Sequence, residues 1–203
     1  MDLIKKLEEL IEDGVLSPPS LPNPKPCEVN FFDALDCINN TQTTHMNLFE
    51  NNGAAFSDCR QYRYALWRIW DESKPLIMFI GLNPSTANES GNDPTIDTVT
   101  ALSTNWGYGG FYMMNLFAIV SSKPEVLKTH PDPLGENDGW IENIAAKCKD
   151  VVFAWGAFKE AKPRTNKIIK QFPEAICIKI LKDGSPKHPL YTPYKALPIK
   201  FKQ

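Results

Sequence analysis

The 203-residue chain has no apolar run approaching the ~20 residues that a membrane-spanning helix needs. It has no large excess of one charge: 22 Lys+Arg against 24 Asp+Glu give a formal net charge of −2. A strongly basic chain that coats nucleic acid is excluded, and only a local basic patch remains open. Its five cysteines, Cys27, Cys37, Cys59, Cys148 and Cys177, are odd in number, widely spread and without a CxxC pair. That disfavours a zinc site or a disulfide framework and predicts free thiols in a reducing compartment. The opening MDLIKKLEELIEDG lacks the basic and apolar regions of a secretory signal. A cytoplasmic protein with no membrane partner is therefore expected. There is no GxxxxGK[ST] phosphate loop, no HExxH and no GxSxG. The glycines of GYGG (107–110) precede an apolar segment, the wrong side for a dinucleotide fingerprint. Neither a cofactor nor a metal is expected.

What is present reads as a soluble globular chain, 42% hydrophobic and 23% charged, long enough for one domain with an appendage. Leu3, Ile4, Leu7, Leu10 and Ile11 have helical spacing, and Gly14 would end that helix. SPPSLPNPKP (17–26) holds five prolines and predicts an extended linker. Residues 27–55 are polar and without period, so they are expected to be irregular, with one short helix around 31–38. The boundary of the folded domain is placed at 56, giving an extension over 1–55 and a domain over 56–203. The extension is a candidate docking arm for a protein partner.

The pattern sharpens from 60 onward. QYRYALWRIW (61–70) alternates apolar and polar groups like a half-buried strand. LIMFI (76–80), FYMMNLF around 111–116, VVFAW (151–155) and AICIKI (175–180) are continuous apolar runs, as in strands buried on both faces. Helical segments at 94–105, 137–148 and 157–171 separate them. The alternation predicts an α/β fold: a three-layer α/β/α sandwich around a mainly parallel four-stranded sheet. In such sheets ligands bind beyond the carboxyl ends of the strands. GLNPST, NLFA, WGAF and LKDGSPKHPLY stand at those ends.

Asn83 lies in Gly81-Leu82-Asn83-Pro84-Ser85. Its amide can fix a water and donate a hydrogen bond, or it can simply close a turn on its own backbone. Asn115 ends an apolar strand and offers a donor and an acceptor that match an amide-like base edge, or that satisfy a neighbouring loop. His188, in His188-Pro189-Leu190-Tyr191, is the histidine best placed for catalysis, because a neutral imidazole can donate to developing negative charge. Asp93 and Asp97 read more simply as a helix start, with Pro94 at its first position. Trp155 and Phe158 read as packing residues.

Taken in order, these pieces resemble the uracil-DNA glycosylase superfamily. Gly-Leu-Asn-Pro after an apolar strand looks like the first catalytic motif of its Asn-bearing branches, the mismatch-specific and single-strand-selective enzymes. Asn115 looks like the strand-end Asn that reads the uracil edge, VVFAWGAF like the strand leading into Trp-Gly, and His188-Pro189 like the His-Pro motif near the C-terminus. More narrowly, the run from about 60 to 195 resembles a family of bacterial and phage proteins related to those glycosylases, through RYAL, LNPSTA, NDPT, WGYGG, NLFA, WGAF and GSPKHPLY.

The resemblance implies a uracil-DNA glycosylase-like fold and hydrolysis of the N-glycosidic bond of an unusual or modified pyrimidine in DNA. Asn83 would orient the attacking water and Asn115 would read the flipped base. His188 would stabilise the anionic leaving base, a donor worth ~3 kcal/mol in the transition state. Gly81, Leu82, Pro84 and Ser85 would shape the pocket, and Leu190 or Tyr191 would fill the gap in the stack. Flipping the base costs a few kcal/mol. The loop after Pro84 lacks the Tyr or Phe expected to stack on the base, which leaves Phe117 as a substitute. DNA or a nucleotide is the expected partner, with phosphates on a strip formed by Lys179, Lys182, Lys187 and Lys195, of which Lys182 and Lys187 are the foremost candidates. Two other readings stay open: an enzyme acting on a free modified nucleotide or nucleoside, and a non-catalytic module that binds modified DNA or a protein.

Overall fold

In a computed structural model of the chain the described residues are 51–85, 87 and 91–202. The expected N-terminal helix, proline linker and short helix at 31–38 lie outside them. The seven strands are β1 Asn52–Phe56, β2 Arg63–Ile69, β3 Leu76–Gly81, β4 Gly110–Asn115, β5 Asp150–Phe153, β6 Ile176–Cys177 and β7 Ile199–Lys200. Four α-helices are present among the described residues: α1 Pro94–Asn105, α2 Val126–Thr129, α3 Asn137–Ala145 and α4 Lys162–Gln171.

The strands form one sheet in the order β1-β2-β4-β3-β5-β6-β7. β3 pairs in parallel with β4 and β5, and β5 with β6. The pairs β1–β2, β2–β4 and β6–β7 are antiparallel. The expected mainly parallel four-stranded sheet is thus a parallel centre inside a mixed seven-stranded sheet. Three additions account for the difference. β2, read from its alternation, joins the sheet as an antiparallel neighbour of β4. β1 falls at the end of the stretch expected to be irregular, where NGAAF carries little apolar signal. β7 is two exposed residues in a proline-rich tail. The run at 175–180 contributes only Ile176–Cys177 to the sheet, because the chain then folds back on itself through an isolated bridge between Ile180 and Pro186.

Period-two alternation divides the apolar strand residues between two core layers. Ile77, Phe79, Phe111, Met113 and Val152 pack with Ile96 and Val99 of α1. Met78, Ile80, Tyr112, Met114 and Phe153 pack with Trp140, Ile141 and Ile144 of α3 and Ile168 of α4. Each of these side chains, fully buried, contributes roughly 1.5–3 kcal/mol. α1 starts where the sequence places it: Asp93 Oδ1 accepts from Thr95 N at 2.9 Å and Ile96 N at 3.0 Å, and Pro94 occupies the first turn.

β2 departs from regular alternation. Ala55 faces Ala65 but Phe56 faces Arg63, so Tyr64 is an extra residue in the strand. Tyr64 and Ala65 both join the layer under α3, and the Tyr64 ring stacks on Trp140 with centroids 5.5 Å apart. The bulge turns Arg63 to the α1 side, where its Nη1 donates to Ala87 O at 2.5 Å.

Candidate functional site

The carboxyl ends of β4, β3 and β5 lie side by side, and each delivers one part of the site. β3 ends at Gly81 and β4 at Asn115, which are directly paired. A Cβ at Gly81 would sit 2.7 Å from Asn115 Oδ1 and 2.6 Å from Met113 Cε, so the bare glycine makes room for the Asn115 amide. The Asn115 side chain therefore lies on the α1 side of the sheet. It is 2% exposed, and its Nδ2 has no hydrogen-bond partner among the described residues. A buried donor left unpaired is costly, which makes the position a candidate for a ligand acceptor. The backbone behind it is firmly held. Asn137 Nδ2 donates to Asn115 O at 2.8 Å and to Leu116 O at 3.1 Å, and Arg164 Nε donates to Leu116 O at 2.9 Å. Arg164 is in turn paired with Asp138.

Beyond Gly81 the pairing continues, with Leu116 N on Gly81 O at 2.8 Å and Phe117 N on Leu82 O at 3.0 Å. Asn83 follows, half-buried. Its Nδ2 donates to Pro84 O at 3.0 Å and Ser121 O at 2.8 Å, so the donor half of the amide ties its own loop to the neighbouring one. The turn role and the chemical role are therefore compatible: Nδ2 fixes the amide, and Oδ1 accepts no hydrogen bond among the described residues. Pro84 is buried and Ser85 half-buried beside it. Phe117, 9% exposed, packs in the core layer with Leu116, Ala118 and Trp140.

His188 arrives beside the end of β5. Gly156 N donates to Pro186 O at 3.0 Å, and a Cβ on Gly156 would meet His188 Cβ at 3.3 Å. Gly156 has φ +74°, a backbone region that also favours glycine. Leu190 N donates to His188 Nδ1 at 3.2 Å. The ring proton is thereby assigned to Nε2, a donor with no acceptor among the described residues, on a neutral imidazole. Burial pulls the His188 pKa below its ordinary value, and the Asp93 carboxylate opposes that pull. Asp93 also acts on Arg63, so it faces both groups. Tyr191 follows with φ +59°, a strained conformation for a non-glycine residue, and is 90% exposed. Leu190 and Tyr191 line an open groove of about 520 Å³ with Pro94, Asp97 and Thr98 at the start of α1.

The structure brings Gly81, Leu82, Asn83, Asn115 and His188 to one edge of the molecule. Lys179, Lys182 and Lys187 stand on the fold-back at 179–187, closed by Lys187 N on Lys179 O at 2.7 Å, which leads directly into His188. Residues 151–203 hold eleven of the 22 Lys+Arg and three of the 24 Asp+Glu, so a chain that is nearly neutral overall has a basic C-terminal quarter. A second cavity, about 330 Å³, is lined by Trp155, Phe158, α4 and the turn at 183–186, and by none of Gly81, Leu82, Asn83, Asn115 and His188.

Two residues escaped sequence reading. Arg63 and Arg68 are polar members of an alternating strand, which predicts exposure, yet they are 3% and 6% exposed. Arg68 Nε donates to Asn92 Oδ1 at 3.0 Å and Nη2 to Gly91 O at 3.4 Å, holding the loop before α1. Burial pushes the Arg63 pKa down to about 10. Arg68 stands two residues from Leu66 on the same strand face, which was the available signal for its burial.

No helix of the described residues is long and apolar enough to cross a membrane, and no cluster of potential metal ligands occurs among them. Cys148 and Cys177 are free thiols, and Cys59 is exposed. The family described as protein of unknown function (DUF1643) matches residues 63–190, well over half of the chain, and the chain belongs to it. Neither the curated proteins nor the solved structures contain a significant match.

Proposed function

We propose that this DUF1643 protein is a hydrolase of the uracil-DNA glycosylase type that cleaves the N-glycosidic bond of an unusual or modified pyrimidine in DNA. The observation that carries the reading is that two amides and an imidazole stand at the ends of three adjacent strands, each with one polar atom unspent among the described residues. Asn83 Oδ1 accepts from a water while Nδ2 is held by Pro84 O and Ser121 O. Its weak basicity limits it to orienting that water rather than deprotonating it. Asn115 Nδ2 donates to a carbonyl oxygen of the flipped base, the acceptor it lacks. His188 donates from Nε2 to the base as the C1′–N bond breaks and negative charge gathers on the leaving ring. Tyr191, exposed on its strained turn, enters the stack vacated by the base. Lys182 and Lys187 hold flanking phosphates.

The test uses single- and double-stranded oligonucleotides that carry uracil, hydroxymethyluracil and other modified pyrimidines. Wild type should leave alkali-labile sites in at least one of them, and Asn83→Ala should leave ~100-fold fewer. Tight binding without alkali-labile sites would replace the hydrolase with a module that binds modified DNA or a nucleotide.

A further inference from the structure

The α1 side of the sheet encloses a positive charge that forms no ion pair among the described residues. Arg63 is 3% exposed, and Nη1 to Ala87 O at 2.5 Å is the only hydrogen bond of its guanidinium among the described residues. Its Nε is buried without a partner. It forms no ion pair there, whereas the comparably buried Arg164 is paired with Asp138. Asp93 is the carboxylate whose charge reaches it, but Asp93 Oδ1 is spent on two backbone N–H groups of α1. Arg68, the other buried cation of β2, repels it.

Isolated buried charge is costly and persists where a partner arrives from outside. The geometry selects the direction of arrival. Arg63 donates to the loop that follows Asn83, and it lies on the sheet face to which Gly81 admits the unpaired Asn115 amide. At 3% exposure it is out of reach of a phosphate that stays on the surface, so only a group that enters beside Asn115 meets it.

We infer that Arg63 is a ligand-binding residue, and that the pocket takes a pyrimidine ligand carrying an oxyanion, carboxylate or phosphate, which pairs with its guanidinium beside the Asn115 amide. The inference rests on the pocket of the proposed function, not on the bond cleaved there. Guanidinium–oxyanion hydrogen bonds are among the strong ones, and their bidentate geometry discriminates an anion from a carbonyl.

Calorimetric binding to the full chain tests it with uracil, orotate (uracil with a ring carboxylate), deoxyuridine and dUMP, and with inorganic phosphate alone. Orotate over uracil, or dUMP over deoxyuridine, is expected to bind at least ~10-fold more tightly. The first preference places the oxyanion on the ring, the second on the sugar. Arg63→Gln should abolish that preference, while Arg63→Lys keeps part of it. Equal affinity for each anionic probe and its neutral counterpart in wild type, a comparison that needs no variant to fold, overturns the inference. So does an undiminished preference in a folded Arg63→Gln protein, an absence of binding by all four probes, or phosphate alone binding as tightly as dUMP. Base release is not read in this experiment, so failure of the hydrolase reading and failure of the oxyanion site give different results.

Discussion

His188 is held neutral by two features of its surroundings, a backbone N–H on Nδ1 and burial, while Asp93 pulls the other way. Asp93→Asn removes the charge but keeps a side chain that caps helices equally well. The His188 pKa, followed by NMR of the ring protons, should then fall further below its ordinary value. A rise would show that Asp93 does not act on the ring. The sign also fixes the linkage. With the folded value lowered, burial of neutral His188 contributes its full stability above the unfolded value of ~6.5 and loses it as pH falls below that. A His188→Gln variant should be less sensitive to acid between pH 6.5 and the folded value, as read from urea midpoints. The thiols separate by the same logic. Burial pushes Cys148 up to about 12 and Cys177 to about 11, whereas Cys59 is exposed. Alkylation of the native protein near neutral pH should modify Cys59 and spare Cys148 and Cys177 until the chain is unfolded, with modified peptides identified by mass spectrometry.

At the scale of elements, the close pairing of β3 and β4 sets the room left for the Asn115 amide. Gly81→Ala places a methyl group 2.7 Å from Asn115 Oδ1 and 2.6 Å from Met113 Cε. It is expected to destabilise the fold by ~1–3 kcal/mol, as overpacking does. Binding or base release should fall further than that loss explains at temperatures where the variant remains folded. A folded Gly81→Ala protein with unchanged ligand affinity would show that the Asn115 amide is not part of the pocket. The strands of this pairing were the most legible elements in the sequence. LIMFI and FYMMN are buried on both faces, and continuous apolar runs record that directly. Helix α1 was equally legible, because Asp93-Pro94 states its start in local chemistry. β1 and β7 were not, since edge strands bury little and NGAAF and IK carry no period. The burial of Arg63 was hidden for another reason. A bulge at Tyr64 shifts which residues face the core, and no alternation pattern shows a bulge before the partner strand is known.

Across the whole molecule, charge is divided more sharply than the net value of −2 suggests. The basic C-terminal quarter carries the fold-back at 179–187 and the exposed Tyr191 on the same approach to His188. Lys182→Glu together with Lys187→Glu, both outside the core, should weaken binding to an oligonucleotide and reduce the slope of log affinity against log salt by ~1–2. The urea midpoint should be unchanged. An unaltered slope would place the phosphates elsewhere. The motif order GLNP, strand-end Asn and His-Pro was visible in the sequence, but the convergence of those residues depends on the strand order β4-β3-β5, in which the first strand of the parallel set lies between the second and third. Sequence spacing does not encode that order, and the Asn115 donor and the Arg63 charge became recognisable as unpartnered only once the strands were side by side.

The central claim is that Asn83 directs a water onto a glycosidic carbon. Its most direct test is the mass of both products after incubation of the full chain with the oligonucleotide it binds best. The account predicts a free pyrimidine base, an oligonucleotide lighter by the base and heavier by a hydroxyl, and neither product from Asn83→Ala that still binds. An oligonucleotide recovered intact from the wild-type protein despite saturating binding would contradict it.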